Sequence, residues 1–156
     1  MGMSEGLELH QRRLPHWRLT GATYLVTWSL APQVVSLNEA ERNIVSSALR
    51  FFHLHRYHLW GYVVMDDHVH SVLTPFSKYP LSKTIHSWKS YTANKVNQNR
   101  GRTGRLWQVE YHDRIIRDGN DFREKMQYVL TNPERRWPGT KEYNWVGWTK
   151  DEFSYQ

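Results

Sequence analysis

The chain has 156 residues, with 21 Lys and Arg against 15 Asp and Glu and a formal net charge of +6; that length suits one domain and leaves little room for two independent cores. Cysteine is absent, which excludes disulfides, thiolate nucleophiles and cysteine-ligated zinc. No apolar run approaches the roughly 20 residues of a membrane-spanning helix, and residues 1–10 lack the basic-then-apolar pattern of a secretory signal, so a soluble, cytoplasmic protein with no membrane contact is expected.

Hydrophobic residues make up 39% of the chain, below the roughly 45–50% of an average globular domain. Eight Trp, nine Tyr and five Phe must therefore supply much of the core. The basic residues divide into 14 Arg and seven Lys, and Arg is the better bidentate partner for phosphate. With a pI near 9.7, the composition suits a polyanionic partner.

Residues 1–20 read as a basic arm carrying Arg12 and Arg13, and Gly21 opens the domain. Tyr24, Val26, Trp28 and Leu30 alternate with Leu25, Thr27 and Ser29, the period of a strand, which Ala31-Pro32 closes. Ser36 and Glu39 have capping-box spacing, and Leu37, Ala40, Ile44, Ala48 and Phe51 then recur at helical spacing. The apolar run 59–65 predicts a buried central strand, Asp66-Asp67 a turn, and residues 68–74 the returning strand of a hairpin. A second helix is expected over about 81–97, with Leu81, Ile85, Trp88, Thr92 and Val96 facing inward, followed by a basic loop over 97–105. Residues 106–117 look extended. Asp121 opens a third helix that should stop at Pro133, because proline disfavours helix at the residue before it. The order strand, helix, strand, strand, helix, strand predicts an α+β fold, a ferredoxin-like antiparallel sheet with helices packed on it. The domain should span 21–133, with 134–156 as a C-terminal tail.

His68-Val69-His70 carries the sharpest chemistry. Residues i and i+2 of a strand share a face, so both imidazoles project together, half of a divalent-metal site. The third alternating position is Val72, which separates the pair from the histidine triplets of nucleotide hydrolases. On the third helix, Phe122, Met126, Val129 and Leu130 form the apolar side, while Lys125, Tyr128 and Asn132 fall on a polar flank. Tyr128 and Asn132 are spaced i, i+4. A tyrosine can act as a nucleophile, the Asn132 amide oxygen can complete a metal site, and Lys125 can lower the phenol pKa or hold a phosphate.

With these residues the chain resembles the single-tyrosine HUH transposases, and more closely their REP-associated tyrosine transposase branch. The resemblance rests also on Arg12-Arg13-Leu14-Pro15-His16, Gly21-Ala22-Thr23-Tyr24, Trp88-Lys89-Ser90-Tyr91-Thr92-Ala93, Gly104-Arg105-Leu106-Trp107-Gln108 and Tyr111-His112-Asp113-Arg114-Ile115-Ile116-Arg117. It spans about residues 11–137; Asp66 stands where the family often has proline. It implies an HUH endonuclease-like fold, with Tyr128 as nucleophile and His68, His70 and Asn132 holding Mg²⁺ or Mn²⁺. It further implies cleavage and rejoining of single-stranded DNA at hairpin-forming palindromic repeats through a 5′-phosphotyrosine, by a monomer or a homodimer.

Tyr111, beside His112 and Asp113, is a rival nucleophile, and Glu110, Asp113 or Asp67 can orient a histidine or approach the metal. DNA contacts are expected from Arg12, Arg13, Lys89, Arg100, Arg102 and Arg105 together with Lys125. Two other readings use the same residues: a hairpin-binding module whose nuclease is unused, and a metal-dependent hydrolase attacking with water.

Overall fold

The computed structural model describes residues 21–149; Arg12 and Arg13 of the predicted arm, and residues 150–156, lie outside them. The elements follow as β1 (Tyr24–Ser29), α1 (Glu39–Phe51), β2 (Tyr57–Val64), β3 (His68–Pro75), α2 (Leu81–Arg100), β4 (His112–Ile115), α3 (Gly119–Leu130), α4 (Asn132–Arg136) and β5 (Val146–Trp148). All strand pairs are antiparallel, in the order β4-β1-β3-β2-β5. The first four strands give the expected ferredoxin-like arrangement, and the fold is α+β.

Period-two alternation sorts each strand onto two faces. Val26 and Trp28 of β1 and Val69 and Leu73 of β3 enter one core beneath α1 and α2. There Trp28 stacks on Trp88 at 5.7 Å and meets Trp107 edge-on at 6.0 Å. Trp88 Nε1 donates to Tyr57 Oη at 3.1 Å, and that hydroxyl donates to the Leu49 carbonyl at 2.6 Å, whereas the buried Trp28 Nε1 has no hydrogen-bond partner among the described residues. Val63, Met65 and Val72 face the other way and meet Phe122, Met126, Val129 and Leu130 of α3, the apolar side read from the sequence. The aromatic-rich composition is thus concentrated in one core, and the smaller second core positions the tyrosine helix.

Four local expectations are corrected. The α1 N-cap is Asn38, whose side chain accepts from Glu41 N while Glu41 returns a bond to Asn38 N. Ser36–Glu39 and Asn38–Glu41 share the same spacing, and the second pair rotates the helix so that Val45, Ala48 and Leu49 face inward while Phe51 is exposed. Helix α2 continues through residues 97–100, expected as loop, and ends at Gly101, whose left-handed φ of 64° caps it. Pro133 does not stop the third helix: α3 ends at Leu130, and Pro133 lies in the first turn of α4, where its missing N–H costs no helical bond. Finally, the stretch read as a tail supplies β5, paired to the outer edge of β2, and buries Trp145 in the core.

Candidate active site

The histidine strand is built where both of its neighbours can support it. β3 lies between β1 and β2, and Val69 is fully buried under α1 and α2, which fixes the strand's register and turns His68 and His70 to the opposite face. The two imidazoles lie 4.8 Å apart between ring centroids. Tyr128 approaches from α3, its ring 5.2 Å from that of His70. The dyad predicted from His-x-His spacing and the tyrosine predicted from helical periodicity therefore meet, although 58 positions separate His70 from Tyr128 in the sequence.

The helix is pressed onto the sheet by a missing side chain. A Cβ on Gly61 of β2 would lie 2.7 Å from Cε and 2.9 Å from Sδ of Met126, so the bare glycine leaves room for the end of that side chain. Met126 is two residues before Tyr128 and, with Phe122, Val129 and Leu130, packs the tyrosine helix against the sheet.

The second nitrogens of the imidazoles are held. His68 Nδ1 lies 2.6 Å from Asp67 Oδ1, and His70 Nδ1 lies 2.6 Å from Thr27 Oγ1. A neutral imidazole that donates from Nδ1 presents a lone pair at Nε2, and among the described residues neither Nε2 makes a hydrogen bond. Burial pushes the His70 pKa down to about 3, with the nearby His68 and Arg135 adding in the same direction, so the ring is neutral and able to ligate. Asp67 feels burial, which raises its pKa, but the hydrogen bond to His68 and the charge of Arg136 outweigh it and hold the carboxyl below the usual range. Arg136 reaches Asp66 at 3.3 Å and Asp67 at 3.6 Å, tying α4 to the β2–β3 turn.

Asn132 is buried at the start of α4, and among the described residues its side chain makes no hydrogen bond. The chain breaks helix geometry at Thr131, so Asn132 is not on one continuous helix with Tyr128 as the i, i+4 reading supposed. No three His, Asp or Glu side chains cluster among the described residues. The two imidazoles are therefore the donors that the structure brings together, and Asn132 offers a neutral amide oxygen of a kind that suits a divalent ion.

The predicted cations divide. Lys125 is paired to the buried Asp121 at 3.0 Å, which draws it from the phenol. In its place Arg135 lays its guanidinium 4.3 Å from the centre of the Tyr128 ring and donates to the Tyr128 carbonyl and to Thr131 Oγ1, each at 2.6 Å. The sequence reading missed Arg135; its i+7 spacing from Tyr128 was the available signal, hidden by the assumption that Pro133 ended helical geometry. Arg100 holds the buried Glu41 through bonds of 2.5 and 2.8 Å, and its hydrogen bond keeps the Glu41 carboxyl below its ordinary value despite burial. Lys89 donates to the Gln108 and Val109 carbonyls, and Arg102 to the Arg105 carbonyl and Asn97, so both organise the 101–109 loop. Arg105 alone of these loop cations is exposed rather than half-buried. Tyr111 packs against the opposite core, away from the histidines.

The model of the family described as "transposase, IS200 like" matches residues 33–131, a span that includes His68, His70 and Tyr128 and ends one residue before Asn132. Among solved structures, the chain is similar to a REP-associated tyrosine transposase bound to a REP hairpin, at 19% identity and a TM-score of 0.66, over 84% of this chain and 79% of that one. It is also similar to a crystal structure from Deinococcus radiodurans R1 assigned as a transposase, at 17% identity and a TM-score of 0.53, over 75% of this chain and 94% of that one. These two share its fold. No curated protein matches the sequence. Among the described residues, no helix is long and apolar enough to cross a membrane.

Proposed function

From the premise that the chain belongs to the IS200-like transposase family, we propose that it cuts and rejoins single-stranded DNA at hairpin-forming palindromic repeats through Tyr128, as a member of the REP-associated branch. The observation that carries this reading is the 5.2 Å approach of the Tyr128 ring to His70. It sets a nucleophile against an imidazole pair whose outer nitrogens are free for a metal. The hairpin carried by the REP-associated structural neighbour supports the choice of DNA.

In the proposed reaction Tyr128 Oη attacks the scissile phosphorus, losing its proton to solvent. The bond to the 3′ oxygen breaks, that oxygen gains a proton, and a 5′-phosphotyrosine remains. A 3′-hydroxyl from a second strand reverses the step, so rejoining needs no ATP. Tyr128 is 44% exposed at the helix surface, which lets a strand reach it. The Arg135 guanidinium over the ring stabilises the phenolate that forms during attack. His68, His70 and Asn132 hold Mg²⁺ or Mn²⁺, with Asp67 and Thr27 fixing the two imidazoles. When bound, that ion neutralises phosphate charge and polarises the phosphoryl group.

The test is denaturing electrophoresis of the protein with a labelled hairpin DNA bearing single-stranded flanks, in Mg²⁺ or Mn²⁺, beside Tyr128→Phe. A slow covalent adduct in the wild type alone is the expected result. Cleavage that persists in Tyr128→Phe would assign attack to water or another tyrosine.

A further inference from the structure

The described residues roof the catalytic face of the sheet only in part. Helix α3 packs chiefly on β2 and β3, and on β1 the residues of that face, Leu25, Thr27 and Ser29, are half-buried, whereas Val26 and Trp28 on the other face are 0% and 1% exposed. The register of the edge strand β4 continues this open strip. His112 lies opposite Thr27 and Arg114 opposite Leu25. Directly opposed residues share a face, and Thr27 is itself opposite His70. His112, Thr27 and His70 therefore form one row across three strands, with His112 about 10 Å from His70 at the usual strand spacing.

β4 is sorted by charge. His112 and Arg114 belong to the catalytic face, while Asp113 and Ile115, opposite Val26 and Tyr24, belong to the other. All four are exposed, and among the described residues neither His112 nor Arg114 makes an ion pair. A charged edge strand that served only to block pairing with other chains would need no such sorting. Basic residues facing the tyrosine and an acid turned away suit a polyanion crossing the strip.

We propose that the β1–β4 strip is a shelf for the single-stranded segment flanking the hairpin, its phosphates held by Arg114 and His112 as the strand runs to Tyr128; this rests on the functional reading above. Arg114 offers a planar fork for phosphate oxygens. His112 donates an imidazole N–H, and Thr27, half-buried between His112 and His70, floors the shelf. These contacts add affinity only where a flank is present and leave the hairpin's own contacts untouched.

The experiment measures binding of two DNAs, a hairpin alone and the same hairpin with a single-stranded flank, across a salt series. Tyr128→Phe is the parent, so that cleavage does not consume the probe. Adding His112→Ala with Arg114→Ala should weaken the flanked hairpin about tenfold and lower its salt slope by about one to two, while the bare hairpin is unchanged. The paired control, Asp113→Ala with Ile115→Ala on the other face of the same strand, should not reproduce this selective loss. Equal loss on both DNAs, no loss on either, or a selective loss in the control overturns the shelf. Flank-independent binding by the parent overturns the shelf alone, whereas a parent that binds neither DNA overturns the functional reading with it.

Discussion

The two faces of the sheet carry the same strands and opposite designs. On one, Trp28, Tyr57, Trp88 and Trp107 interlock beneath α1 and α2, and all but Trp28 hydrogen-bond their polar tips within the core. On the other, Thr27 lies beside Trp28 in β1 and His68 and His70 flank Val69 in β3, each imidazole is bonded at Nδ1, and Tyr128 is left half-open. A single residue step along β1 or β3 moves from a packed indole or valine to a working polar group. Rigidity on the first face is what permits incompleteness on the second, because Val69 and Trp28 hold the backbone from which His70 and Thr27 project. The comparison predicts that substitutions on the two faces separate cleanly into losses of stability and losses of function.

The largest separation comes from two aromatic changes. Tyr128→Phe removes one exposed oxygen, so covalent adduct formation should fall to background while unfolding free energy stays within about 0.5 kcal/mol. Trp28→Ala opens a cavity in the aromatic core and should destabilise by about 3–5 kcal/mol, read by urea unfolding. A Tyr128→Phe protein that unfolds would break the comparison, since the tyrosine would then belong to the packing.

Arg100 sharpens it next. The guanidinium neutralises a 1% exposed Glu41 carboxylate, so Arg100→Ala leaves a buried charge and should cost about 3 kcal/mol near neutral pH. Because the folded Glu41 carboxyl is held below its ordinary value of 4.5, the pair's contribution is fully present above that pH and is lost as pH falls through the lower folded value. The difference between wild type and Arg100→Ala should therefore shrink in acid, as urea titrations at neutral and acid pH would report. DNA affinity should change little, in contrast to His112→Ala with Arg114→Ala.

That contrast also marks what the sequence could disclose. Strand faces and the His68–His70 dyad follow from period two, and the apolar side of α3 follows from its 3.6-residue period, so each was readable from neighbours in the chain. Arg100 was not: its partner Glu41 is 59 positions away, and its surroundings of Asn, Gln and Gly look like loop until Gly101 is seen capping a longer helix. The same limit hid β5, whose three residues Val146–Trp148 are too few for an alternation to register. Two overlapping capping patterns around Asn38 had equal spacing, and only the packing of Val45 and Leu49 chooses between them. Sequence reasoning brought Tyr128 and His70 to one site because both sit on periodic elements; it did not foresee the partners of the cations because long side chains choose them across the fold.

Within the catalytic face, Asp67→Asn should weaken Mn²⁺ binding about tenfold without a comparable loss of stability, since Asp67 is 45% exposed. The uncharged amide orients the His68 ring less firmly and releases Arg136 from half of its clamp. Titration of the protein with Mn²⁺ in the absence of DNA reads this directly. Unchanged affinity would mean that the carboxylate shapes the turn and leaves the imidazole unaffected.

Gly61→Ala probes the contact between β2 and the tyrosine helix, and its expected effect on activity is the smallest of those on this face. The added methyl would meet the Met126 thioether at 2.7–2.9 Å, and Met126 is 0% exposed, so its terminal atoms must swing into a filled core or α3 must rise. Overpacking of this size costs about 1 kcal/mol when a flexible side chain can share the strain. Tyr128 rides on the same helix two residues later, and a displacement of a fraction of an ångström changes its approach to His70. Cleavage should therefore fall by roughly tenfold, more than the stability change implies, because positional errors near a reacting bond are amplified. If cleavage is retained at the parent rate, the methionine alone absorbs the methyl, and the depth of the tyrosine helix is set by Phe122 and Val129 instead.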